Sequence, residues 1–156
     1  MGLSVFPAPV ASSKTAFRTT LTSGTSWTVP AGVTYVNVTL FGGGQAGGSP
    51  ANAGGTDYGQ RGIVGNGGQV VSSIVSTTPG ASITYAIGAG GTGSTAAIGA
   101  SGGNTTFTGA TTAAGGSHTG AVGQGAGNGG GAGIWAGAPN NGGNGGSGKI
   151  DIEYWV

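Results

Sequence analysis

Three acids and one histidine bound the chemistry open to this chain. Asp57, Asp151 and Glu153 are its only carboxylates and His118 its only imidazole. Hydrolysis by paired carboxylates needs two acids flanking one bond. Asp151 and Glu153 share the outward face of a predicted strand, so such a site would need Asp57 brought to them. His118 follows Ser117, but sequence neighbours in a glycine-rich loop do not face each other as nucleophile and base must. One histidine and three acids at these positions build no metal site. No cysteine is present to supply thiolates or disulfides. The string at 88–90 mimics a phosphate loop without opening a helix after a strand. The reading is a non-enzyme that uses no cofactor.

Recognition is the remaining chemistry. The densest polar–aromatic cluster is SPANAGGTDYGQRGIV at 49–64, with Asn52, Asp57, Tyr58, Gln60 and Arg61. A second interruption, 111–122, carries His118, and a third, 133–142, carries Trp135, Asn140 and Asn141. An aromatic ring flanked by amides and a carboxylate suits a sugar ring or a protein loop, because the flat face stacks and the polar groups fix orientation. These nine residues are the candidate receptor-binding set. The bland alternative is that Tyr58 and Trp135 pack on the base or on a neighbouring subunit, with His118 an exposed loop residue. Lys14, Arg18, Arg61 and Lys149 are too few and too dispersed for a nucleic-acid footprint. No apolar run reaches the length of a membrane span.

The elements that must position these residues are strands. VTYVNVTLF alternates strictly, with Val36, Val38 and Leu40 on one face and Tyr35, Asn37, Thr39 and Phe41 on the other. QVVSSIVS at 69–76, the Pro-Gly turn in 77–82 and ITYAI at 83–87 read as a hairpin, with Ile83, Tyr85 and Ile87 on one face. Short strands are expected at 104–109 and 111–114. KIDIEYWV closes the chain with Ile150, Ile152, Tyr154 and Val156 facing one way. No helical periodicity appears anywhere, so the class is all-β. Residues 1–25 read as an extended arm, with Phe6 and Phe17 as attachment candidates, and 26–156 as the domain. The start of the chain has neither a basic leader nor a long apolar stretch, so the expectation is cytoplasmic synthesis without a secretory signal.

All but Gly2, Gly24 and Gly32 of the 40 glycines fall between residues 42 and 148. Glycine loses more backbone entropy on folding than any other residue, so these runs stay disordered unless something uses the missing side chains. Polyglycine II helices would do so. They are extended threefold helices whose amides and carbonyls point outward and bond laterally to neighbours, as in collagen. NGGNGGSG supports them by its period of three, placing Asn141, Asn144 and Ser147 on one edge. Gly88 with Gly91, and Gly99 with Gly102, share the spacing. Alanines such as Ala46 read as rim positions. The net charge of +1 removes the self-repulsion that keeps disordered chains expanded.

The order of motifs resembles a known family. WTVPAGVTYVNVTLFGGG, then GGQVVSSIVSTTPGASITYAIGAGGTG, GGNTTF and GGSGKIDIEYWV is similar to the glycine-rich domains of phage tail-fibre and other virion proteins, over about residues 26–156. Similar polyglycine lattices occur in tail-fibre tip adhesins of T-even-type phages and, more distantly, in a receptor tyrosine kinase ectodomain. The resemblance implies a small antiparallel β-sandwich base carrying polyglycine II helices, a place on the virion exterior and host-receptor binding through loops between the helices. The implied partners are other virion proteins through the arm and a host glycan or outer-membrane protein. A homo-oligomer, with a trimer favoured, is expected. The alternative within the same resemblance is a capsid or tail decoration protein that binds no receptor.

Overall fold

The computed structural model describes residues 14–49, 63–95, 98–119 and 141–156. Among these residues seven strands form two antiparallel sheets: β1 (Ala16–Leu21), β2 (Ser26–Thr28), β3 (Tyr35–Phe41), β4 (Val70–Ser76), β5 (Ser82–Ala86), β6 (Thr106–Phe107) and β7 (Lys149–Trp155). The larger sheet has the order β1-β7-β3-β4 and the smaller β2-β5-β6. The described part of the chain is all-β, as its alternation requires. Alternate residues of β3 and β7 put Val36, Val38, Leu40, Ile150 and Ile152 between the sheets, each fully buried. The smaller sheet closes over them with Tyr85 and Phe107. Trp27 wedges between Phe107 and Tyr154, at ring separations of 6.4 and 5.9 Å.

Turns of the base need glycine. Gly80 and Gly32 have φ near +80°, and Ala81 and Val33 close their turns onto the carbonyls of Thr78 and Pro30. This is type II geometry, which places glycine third. The Pro79–Gly80 turn does not make the expected hairpin, however. β4 pairs with β3 and β5 pairs with β2, so the turn carries the chain from one sheet to the other. Both strands have an apolar face, and only opposite sheets let Val75 and Tyr85 bury against a common core. Val29 fixes the crossing by bonding Ala81 and Gly80 through its amide and carbonyl, each at 2.9 Å.

β1 lies inside the stretch read as an arm. It pairs with β7 from Ala16↔Trp155 to Leu21↔Ile150, so the base begins well before residue 26. Polar Arg18, Thr19 and Thr20 hide the strand from a hydrophobicity pattern, because an edge strand half covered by its neighbours needs few apolar residues. The strand expected at 111–114 is reduced to a single bridge, Thr105↔Ala113.

Beyond Phe41, β3 continues as a different structure. Residues 42–49 are all buried without belonging to a strand, and successive amides turn through three directions. Gly42, Gln45 and Gly48 donate to Gln69, Asn66 and Ile63; Gly43 and Ala46 donate to Gly103 and Ala100; Gly44 and Gly47 donate to Gly146 and Gly143, all at 2.8–2.9 Å. Every third amide reaches the same neighbour, three residues further back. That is the lateral bonding of a polyglycine II helix among three antiparallel partners. Two further segments run parallel to it, with Gly91 and Gly116 donating to Gly44 and Gly43. A second ring of bonds ties these neighbours together, for example Gly145 and Gly148 to Gly91 and Gly88.

Candidate functional site

The lattice decides which side chains are presented. A Cβ on Gly99, Gly102, Gly142 or Gly145 would land on the carbonyl of Ala46, Gly43, Gly47 or Gly44 respectively. The hydrogen that glycine carries there points at a carbonyl oxygen, which adds weak Cα–H···O contacts to the amide bonds. The intervening positions face out. Ile98, Ser101 and Asn104 are exposed, and so are Ala89 and Thr92, and Asn141, Asn144 and Ser147. Glycine inward and side chain outward thus alternate with a period of three.

Polar side chains finish the bonds where a helix has no backbone partner. Asn144 Oδ1 accepts from Gly93 at 2.7 Å, Asn104 Oδ1 from Gly115 at 3.0 Å and Gln69 Oε1 from Ala114 at 3.2 Å. Asn66 Nδ2 donates to the Ser117 carbonyl at 2.8 Å. Gln45 lies within the lattice, donating from Nε2 to Gly99 and accepting the Asn66 amide on Oε1. Thr105 joins base to lattice, giving its hydroxyl proton to Phe41 and accepting the Gly88 amide. An unmet buried amide or carbonyl costs about 1–3 kcal/mol, so the buried bonds of Gln45 and Thr105 matter most to the array and the exposed ones of Asn144 and Asn104 least. Apart from the edge position of Asn144, the sequence does not announce these roles, because the amides they meet belong to distant segments. Ala46 corrects an expectation in the other direction. It is fully buried in the central helix, not at the rim, and its amide bonds the Ala100 carbonyl like those of its glycine neighbours.

The lattice has two ends. Gly42 and Gln69 lie beside the sheets, whereas Gly48 meets Ile63 and Gly142 meets Ser94 at the far end. The described residues flanking 50–62, 96–97 and 120–140 are therefore gathered at this distal pole. His118 and Asn141 are exposed there. Asn52, Asp57, Tyr58, Gln60, Arg61, Trp135, Asn140 and Phe6 lie outside the described residues. Ile63, Val64 and Ile98 are also exposed at this pole; they were not singled out, since isolated aliphatics in a glycine run carry no periodicity.

Among the described residues, the charged cluster around Asp151 belongs to the base. Asp151, only 6% exposed, receives Arg18 and Lys149 on Oδ2 at 2.9 Å each and Thr20 on Oδ1 at 2.6 Å. Burial raises its pKa, but the hydrogen bonds from Thr20, Lys149 and Arg18, with the Lys149 charge, outweigh that and hold the carboxyl below its usual range. An ionised, fully bonded carboxylate is a poor proton donor, so Asp151 fastens β1 to β7. Lys149 also lies 4.6 Å from the Phe41 ring centre. Phe17, an attachment candidate, sits on β1 and stacks on Tyr154 at 5.6 Å. No cluster of three His, Cys, Asp or Glu side chains suited to a metal occurs among the described residues.

A family model described as a glycine-rich domain matches residues 19–151. No curated protein matches the chain. The match spans nearly the whole of both sheets and all the glycine runs, and the chain belongs to the glycine-rich domain family.

Proposed function

We propose that this member of the glycine-rich domain family is a virion protein of the phage tail-fibre or adhesin type. It binds a host surface glycan or outer-membrane protein through the side-chain-bearing segments at the distal pole. The observation that carries the reading is that the described residues flanking 50–62 and 120–140 meet at one end of a stiff lattice. At about 3.1 Å per residue, the eight-residue central helix holds that end about 25 Å from the sheets. A rigid stalk carries its binding residues to a partner without a large ordering cost of its own. Lys14 lies at the other end, beside Tyr35 and Trp155, where attachment to other virion proteins and assembly into a trimer would not obstruct the tip.

Purified protein should compete with adsorption of the phage that carries it. Tyr58→Ala with Arg61→Ala should weaken that competition about tenfold or more, as loss of an aromatic and an arginine anchor does. A folded protein that never competes contradicts the reading. Exposed aromatic and aliphatic residues on the base favour the second reading, a capsid or tail decoration protein. In that case deleting residues 1–13 abolishes incorporation, and changes within 49–64 leave infection intact.

A further inference from the structure

β3 enters its sheet at Tyr35 and leaves for the lattice at Phe41, so Tyr35 marks the pole remote from the tip. On the outer sheet face there, Lys14, Tyr35, Asn37, Ile74 and Trp155 line a groove of about 300 Å³. The Tyr35 and Trp155 ring centres are 6.2 Å apart and inclined by 33°, forming an open V. Ile74 is 77% exposed and Tyr35 45%. Large apolar side chains grouped in this way mark a contact surface.

We propose that this groove docks an extended, proline-containing peptide, and that its occupant is the chain's own Phe6-Pro7-Ala8-Pro9 sequence. Aromatic-lined grooves take such peptides because proline holds them extended beforehand, so little freedom is lost on binding. Tyr35 and Trp155 supply the rings, Ile74 an aliphatic floor and Asn37 an amide for a peptide carbonyl. The tether fits as well. Thr15 is bonded to Val156 through both its amide and its carbonyl, which delivers Lys14 to the groove wall. From Lys14, the five residues back to Pro9 reach up to about 16 Å, while three strand spacings from β1 to β4 amount to about 14 Å. So short a link gives a millimolar effective concentration, well above that of a second copy at micromolar protein. Attachment to the virion through Phe6 would then require this sequence to leave the groove.

The chain has no cysteine, so an introduced pair reports proximity without background. Ser76 lies opposite Tyr35 on β4, beside the groove. In the full chain at low micromolar concentration, Ala8→Cys with Ser76→Cys should close an intramolecular disulfide about tenfold faster or more than Ala8→Cys with Thr92→Cys on the lattice rim. Adding Ile74→Asp, at an exposed position that the fold does not need, should reduce the rate to that of the rim pair. Disulfide-linked dimers in place of monomer closure would assign the groove to a second copy and overturn the proposal. Equal rates for the two pairs, or indifference to Ile74→Asp, would overturn it equally.

Discussion

The base and the lattice of this protein are built on opposite uses of the side chain. Between the sheets, space is filled by Leu40, Ile150, Ile152 and Phe107, and the backbone bonds are those of ordinary ladders. Around residues 42–49 space is filled by backbone alone, and a side chain is an intrusion unless, like Gln45, it supplies the bonds it displaces. The first region is stabilised mainly by apolar burial. The second has little apolar surface to bury and depends on meeting every amide in an interior closed to water. Glycine, usually a source of instability, is there the residue that fits wherever a Cβ would meet a neighbouring carbonyl.

Alanine offers the sharpest way to break this comparison, because it should damage both regions for opposite reasons. Gly102→Ala sets a methyl on the Gly43 carbonyl. Overpacking at about 1–3 kcal/mol, plus a stranded buried group at about 1–3 kcal/mol, predicts a loss of roughly 3–4 kcal/mol by chemical denaturation. Leu40→Ala removes volume from a fully buried site and should cost about 3 kcal/mol. If Gly102→Ala were neutral, the lattice would not be close-packed.

Asp151→Asn tests how the base itself is fastened, β1 to β7. At pH 7 it should cost about 1–2 kcal/mol, for loss of charge-assisted bonds to partly exposed partners. The folded pKa of Asp151 lies below its usual value. Its contribution is therefore fully present above about pH 4, the unfolded pKa. It is lost as pH falls through the folded pKa. Wild type and variant should converge in acid, and a difference that persists there would assign the effect to packing. The smallest effects belong to the rim. Asn144→Ala strands the exposed Gly93 amide and should cost under about 1 kcal/mol, while Thr92→Ala on the open rim should stay within about 0.5 kcal/mol.

How much of this was legible in the sequence follows the same division. Strict alternation announced β3 and β7, and their inward and outward faces are as read. The threefold spacing of Gly88 with Gly91, Gly99 with Gly102, and Asn141 with Asn144 and Ser147 matches the inward and outward positions observed. β1 was hidden because an edge strand of Arg, Thr and Phe carries no strong period. The crossing of Pro79–Gly80 was hidden because turn chemistry specifies a reversal and not the sheet in which the chain resumes. Gln45 and Thr105 escaped notice for a deeper reason. Their role is to meet particular amides of distant segments, and no local pattern encodes which segments become neighbours. Of the candidate binding residues, His118 and Asn141 occupy the distal pole, and sequence spacing could not have said that their segments end together.

Amide hydrogen exchange across residues 42–48 tests the central claim most directly. If these backbone groups are bonded to three antiparallel neighbours, the amides of Gly43, Gly44, Ala46 and Gly47 should exchange as slowly as that of Val38 in the middle of β3, and Gly102→Ala should release them together. Exchange at the rate of an unstructured glycine peptide while Val38 remains protected would show that the sheets stand without the lattice, and would contradict the account.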